Sequence, residues 1–230
     1  MHRTRIKICG ITRPEDAAAA AAAGADAIGM VFYARAPRNI SIERAKEILA
    51  ILPPFVSPVG LFVDADARAI LTLVEQLHLR HVQLHGHEPP TRVAELGGLD
   101  VIKAIRTDKE MGDALATWRR AIEELNLTNL RGIVLETAGT TEAGGTGVAN
   151  DWDAAQRQRA SGAFDGMPQL IAAGGLTPQT VGDVVRTLRP WAVDVSSGVE
   201  SSKGVKSAEK IRQFVRAVRD ADAAVNNREG

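Results

Sequence analysis

A single-domain (β/α)8 TIM barrel, an α/β architecture, is the expected fold of this 230-residue chain. Short aliphatic, β-branched runs recur between longer segments of helical period, and the alternation persists from end to end. Strands separated by helices of that length pair in parallel through right-handed crossovers. Eight such repeats in about 220 residues match the size of a closed barrel of this kind. An open doubly wound sheet is the runner-up, but it would carry a Gly-rich turn after its first strand, and Cys9-Gly10-Ile11-Thr12 is no GxGxxG. No composition break divides the chain. Residues 1–222 are therefore expected to form one catalytic barrel, with 223–230 a polar tail that frays.

The strand runs are 6–9, 27–31, 56–62, 81–84, 101–105, 132–135, 169–172 and 192–195, each rich in Ile, Val and Leu. Pro14 opens the first helix in a position where its missing N–H costs nothing, Ala17 to Ala23 continue it, and Gly24 closes it. Ser41 caps the second, with Glu43 in its first turn, and Pro53-Pro54 stop the chain after Leu52. Helical period then marks 66–77, 89–96, 110–124, 152–159, 177–188 and 207–222.

The 28 basic and 28 acidic residues cancel, so no bulk field draws the chain to nucleic acid. One cysteine excludes an intramolecular disulfide framework and a multi-Cys metal site, and suits a reducing compartment. His78, His81, His85 and His87 are close in sequence but span a helix end, a strand and a loop, which is not metal-ligand spacing. No apolar run approaches the roughly 20 residues that span a bilayer, and Met1-His2-Arg3-Thr4 leads into a strand-like segment instead of a signal h-region. The expectation is a cytoplasmic protein without nucleic-acid or membrane partners, without metal, acting as monomer or homodimer on a small molecule.

Barrels of this kind carry their chemistry at the C-terminal ends of the strands and in the loops that follow. Two junctions stand out. Gly174-Gly175 after strand seven and Ser196-Ser197-Gly198 after strand eight can aim backbone N–H groups at a phosphate. Cys9 sits at the mouth end of strand one. Residues two apart on a strand share a face, so Lys7 and Cys9 point inward together, with Lys7 deeper. Asp194 on strand eight is expected to pair with Lys7, whose charge would also favour a Cys9 thiolate. Glu136 ends strand six and Glu142 follows in its loop; a carboxylic acid opposite a thiolate makes an acid–base pair without metal or cofactor. Arg38 is either a surface charge or a planar fork for a substrate carboxylate. Gln83 and His85 either line the cavity or satisfy each other's neighbours in the core.

Together these junctions resemble phosphoribosylanthranilate isomerase, the (β/α)8 enzyme family of tryptophan biosynthesis. The likeness runs from Lys7 to about Phe214. It is carried by Lys7-Ile8-Cys9-Gly10-Ile11-Thr12, Gly29-Met30-Val31-Phe32, Pro37-Arg38-Asn39-Ile40, Val59-Gly60-Leu61-Phe62-Val63 and Val82-Gln83-Leu84-His85-Gly86. Gly144-Gly145-Thr146-Gly147, Asp151-Trp152, Ala173-Gly174-Gly175-Leu176 and Asp194-Val195-Ser196-Ser197-Gly198-Val199-Glu200 continue it. The resemblance implies an Amadori rearrangement of N-(5-phosphoribosyl)anthranilate without a cofactor. It makes Cys9 the general base, Arg38 the holder of the anthranilate carboxylate, and the Gly174-Gly175 and Ser197-Gly198 amides the phosphate site, with His85 also on the substrate. The family has Asp as general acid where Val134-Leu135-Glu136 stands here, so Glu136 takes that role with one more methylene and about 1.5 Å more reach. A histidine-pathway isomerase would place an aspartate where Cys9 stands, and an aldolase would need a Schiff-base lysine at a strand mouth, whereas Lys103 lies mid-strand. The remaining alternative is a non-catalytic or altered-specificity phospho-sugar binding barrel, suggested by Glu136 alone.

Overall fold

The computed structural model describes residues 3–108, 110–136 and 152–229. Eight parallel strands follow one another in chain order: β1 (Arg5–Ile8), β2 (Ala27–Val31), β3 (Ser57–Phe62), β4 (His81–Leu84), β5 (Asp100–Arg106), β6 (Leu130–Glu136), β7 (Gln169–Ala172) and β8 (Ala192–Val195). β1 pairs with both β2 and β8, so the sheet closes into the expected barrel. Lys7 and Asp194 are register partners across that closing seam. The expected strand limits hold to within two residues.

Helices α1 (Pro14–Ala23), α2 (Ile42–Ala50), α3 (Ala67–Leu77), α4 (Pro90–Glu95), α5 (Met111–Glu124), α6 (Trp152–Ala160), α7 (Val181–Leu188) and α8 (Ala208–Glu229) surround it. Their caps are those the sequence offers. The Ser41 hydroxyl accepts from Arg44 N–H, Asp66 accepts from Ala69 N–H, and Gly24 ends α1 in the left-handed region.

Two helices depart from expectation. α7 begins at Val181 rather than Thr177, because Thr177 and Thr180 bond each other's backbone N–H through their hydroxyls and form a turn in place of a first helical turn. α8 runs on through the segment expected to fray. Phe214, Val218, Ala221 and Val225 recur at helical spacing and are all buried, so the apolar stripe continues past residue 222. Asp222 also accepts from the N–H and hydroxyl of Thr4 at 2.9 and 2.6 Å, which fastens α8 to the approach to β1.

Strand alternation sorts the side chains. Ile6, Ile8, Ile28, Met30, Val82, Leu84 and Val193 face outward into the main core against Ile48, Ile70, Val74 and Phe214 of the helices. The barrel interior holds a smaller cluster of Val134, Ile171, Ala173 and Ala192, and a third of Cys9, Val31 and Leu61. The sequence gives no obvious strand after β8. There the chain makes a 3-10 turn over Ser197–Val199 and then a short antiparallel hairpin, β9 (Glu200–Ser202) with β10 (Val205–Lys206).

Candidate active site at the barrel mouth

One cavity opens at the C-terminal ends of the strands. Cys9, Arg38, His85, Glu136, Gly174, Gly175, Asp194, Ser197 and Gly198 all line it, and Gln83 and Ser196 with them, so these positions meet in one place. Lys7 lies one layer below. Glu142, Gly144-Gly145-Thr146-Gly147 and Asp151 fall outside the described residues.

Cys9 is 7 % exposed, and its N–H donates to Val195 O at 2.8 Å, which continues the β1–β8 ladder past the end of β1. Its side chain sits against Gly29, where a Cβ would lie 2.7 Å from Sγ, so the neighbouring strand must present glycine there. Beneath it, Lys7 Nζ donates to Asp194 Oδ2 at 2.7 Å, both side chains being almost wholly buried. Burial works against the Lys7 ammonium. Asp194 and Cys9 more than offset that and hold it charged, above the ordinary lysine range.

The expected Lys7–Asp194 pairing is therefore present, but the net shift of the Cys9 thiol is upward. Burial pushes the Cys9 thiol up; Lys7 and Lys206 pull it down, and Asp194 pushes it up again. Burial and Asp194 prevail. Lys7 acts in the expected direction but does not reverse the upward shift.

Arg38 is not a surface charge. It is 7 % exposed and grips Glu200 with both Nε (2.7 Å) and Nη2 (2.8 Å). Lys206 Nζ reaches the same carboxylate at 2.9 Å and also donates to Ser196 O at 3.1 Å. Burial raises the Glu200 carboxyl, but the Arg38 bond and Lys206 outweigh it and leave it below the ordinary carboxylate range. The hairpin thus joins the Arg38 loop to the β8 junction. Neither Glu200 nor Lys206 was assigned a role from sequence. The Ser202-Lys203-Gly204 turn, with Gly204 at φ +81°, was the signal for the hairpin that pairs them.

At the phosphate junctions Gly174 and Gly175 both have positive φ, 88° and 66°, which turns their loop toward the cavity. The turn of Thr177–Thr180 follows, so any anion held here meets loop amides and not the first turn of α7.

On the opposite wall, His85 Nε2 contacts Glu136 Oε2 and His85 Nδ1 lies 2.9 Å from Gln83 Nε2. Gln83 and His85 both line the cavity, and they bond each other there instead of neighbours in the core. Lys103, on the outward face of β5, is buried and bonds Glu88 Oε2 and Gly86 O, each at 2.7 Å, so it braces the loop after β4 from outside. Among the described residues no group of three or more His, Cys, Asp or Glu is placed to hold a metal ion. Nor is any described helix long and apolar enough to cross a membrane.

The model of the family N-(5'-phosphoribosyl)anthranilate (PRA) isomerase matches residues 6–217. The chain belongs to that family. It is an isomerase, as the sequence likeness implied. A curated relative from Leptothrix cholodnii, named N-(5'-phosphoribosyl)anthranilate isomerase, is 45 % identical over 96 % of this chain and 93 % of its own. The crystal structure of phosphoribosyl anthranilate isomerase from Thermus thermophilus is 35 % identical, with a TM-score of 0.79 over 94 % of this chain and 99 % of that one. A second solved structure is described as a complex with reduced 1-(o-carboxyphenylamino)-1-deoxyribulose 5-phosphate. It is 36 % identical, with a TM-score of 0.76 and the same coverage. The alternative of a non-catalytic or altered-specificity barrel finds no support among these relatives.

Proposed function

We propose that the cavity catalyses the family's reaction in tryptophan biosynthesis, the Amadori rearrangement of N-(5-phosphoribosyl)anthranilate to 1-(2-carboxyphenylamino)-1-deoxyribulose 5-phosphate. The observation that carries this reading is the convergence of Cys9 and Glu136 on one cavity, with the β7 and β8 junctions on the wall between their strands. In the proposed sequence Glu136 gives its proton to the ribose ring oxygen. The C1–O bond breaks, and the anthranilate nitrogen lone pair closes a C1=N iminium bond. Cys9, its own thiol proton having passed to water, then takes the proton from C2 as the thiolate; the C–H electron pair becomes the C1=C2 bond and the iminium nitrogen recovers its lone pair. The enol so formed tautomerises to the ketone, C1 gaining a proton as the C2 hydroxyl loses one. Electrons are redistributed within the substrate, so the reaction calls for no external oxidant or reductant.

The Gly174-Gly175 and Ser197-Gly198 amides are proposed to hold the phosphate, and His85 to face the substrate only through Glu136. Arg38 is proposed to meet the anthranilate carboxylate as a guanidinium already balanced by Glu200, so it contributes shape and donors more than net charge. The enzyme is proposed to work in the cytoplasm as a monomer or homodimer. The test is to supply N-(5-phosphoribosyl)anthranilate in deuterated water and to read the product by mass and proton spectra. The expected product is the ketose carrying solvent deuterium at C1. Recovery of bound, unchanged substrate would instead identify a binding protein.

A further inference from the structure

We propose that Gln83 is a positioning residue for the acid: it fixes the proton of neutral His85 on Nε2, where it stabilises the negative charge Glu136 gains on protonating the substrate. The inference rests on Glu136 being the general acid.

The geometry is built from two strands, β4 and β6. Gln83 lies near the end of β4 with its side chain inward, fully buried, and His85 two residues on shares that face. The Gln83 Nε2 amide can only donate, and its partner at 2.9 Å is His85 Nδ1. A neutral imidazole carries one N–H, so a ring whose Nδ1 accepts must bear its proton on Nε2. That nitrogen contacts Glu136 Oε2 at the end of β6. A donor aimed at a carboxyl oxygen gains most when that oxygen becomes charged, which is the moment of proton transfer to the ring oxygen. The bond also anchors a glutamate whose added methylene leaves it one more rotatable bond than the family's aspartate.

Two further features mark the arrangement as fixed. Gly86, next to His85, is clamped on both sides: its N–H donates to Glu88 at 2.9 and 3.0 Å, and its carbonyl accepts from Lys103 at 2.7 Å. Gln83 Oε1 is buried without a hydrogen-bond partner among the described residues. A side chain selected for packing alone would be apolar here, since a buried orphan acceptor costs about 1–3 kcal/mol.

The test combines nitrogen-15 spectroscopy of the His85 ring with steady-state kinetics on Gln83→Leu, Gln83→Glu and Glu136→Gln. The wild-type ring is expected in the Nε2–H form, Gln83→Leu as a mixture, and Gln83→Glu shifted to Nδ1–H or to the doubly protonated ring. Gln83→Leu should lose at least roughly tenfold in kcat with KM within about twofold; a wrongly set imidazole tautomer costs up to ~10⁴ in a Ser-His-Asp triad. A wild-type Nδ1–H ring, or wild-type kcat in both Gln83 variants while Glu136→Gln is nearly inactive, would overturn the positioning role and leave the acid assignment standing. A fully active Glu136→Gln would overturn both.

Discussion

Cys9 owes its character to two opposed neighbours, Lys7 and Asp194, inside a barrel that has removed water from all three. Burial and Asp194 prevail over Lys7 and Lys206, so the net shift of the Cys9 thiol is upward, and its thiolate fraction grows as pH rises. Lys7→Met removes a pull toward the thiolate and should raise the Cys9 pKa further; Asp194→Asn removes a push and should lower it. Thiolate absorbance against pH reads both, and shifts of opposite sign are the expected result. Strand parity placed Lys7 and Cys9 on the inner face and closure of the barrel placed Asp194 on the neighbouring strand, while the register that pairs Lys7 with Asp194 is given by the structure. The sign of the net shift was not legible. It depends on how deeply Cys9 is buried and on Lys206, which arrives from a hairpin 197 residues away in sequence by its number alone. The place of Glu136 at the end of strand six made it a candidate acid and the resemblance made it the general acid, while its bond to His85 was legible only through the structure.

The hairpin β9–β10 is the element that makes the mouth one piece. Its Glu200 holds Arg38 from the loop after β2, its Lys206 holds Ser196, and its backbone reaches α1, with Lys206 N–H donating to Asp16 at 3.1 Å and Gly204 O accepting from Thr12 at 2.6 Å. Glu200→Gln leaves two buried cations without their shared anion. Breaking such a pair costs on the order of 3–5 kcal/mol in stability. At the site, a loosened Arg38 should raise KM by about tenfold, near 1.4 kcal/mol, with a smaller change in kcat. Thermal unfolding and steady-state kinetics on the same preparation check both. Helical period and Pro, Ser and Gly punctuation located the eight α-helices of the described residues, but they missed this hairpin because two short strands of three and two residues carry no apolar alternation. The late start of α7 was hidden for a related reason: Thr177 and Thr180 serve equally as helix caps or as a turn, and tertiary context chose the turn.

Across the whole molecule, buried ion pairs lie both inside the barrel and around its rim, and they set its response to acid. Burial raises the Glu88 and Glu200 carboxyls, yet their cation partners, Lys103 for Glu88 and Arg38 with Lys206 for Glu200, bring both below the ordinary value of 4.5. A carboxyl whose pKa is lower in the folded state adds stability above its unfolded value and loses it as pH falls through the folded one. The melting temperature should therefore fall progressively below about pH 4.5, and replacing Glu88 and Lys103 together by Leu and Met should flatten part of that slope. The alternation of runs made the closed barrel legible throughout, while the ion pairs at its rim required the contacts themselves. The central claim is that Cys9 and Glu136 convert this barrel from a phospho-sugar receptor into an isomerase. The loss of fluorescence on feeding freshly generated N-(5-phosphoribosyl)anthranilate tests it most directly, with wild type, Cys9→Ser and Glu136→Asp side by side. Rapid decay with wild type, retained decay with Glu136→Asp and a loss of at least about a hundredfold with Cys9→Ser is the predicted result; equal decay with Cys9→Ser and wild type would contradict it.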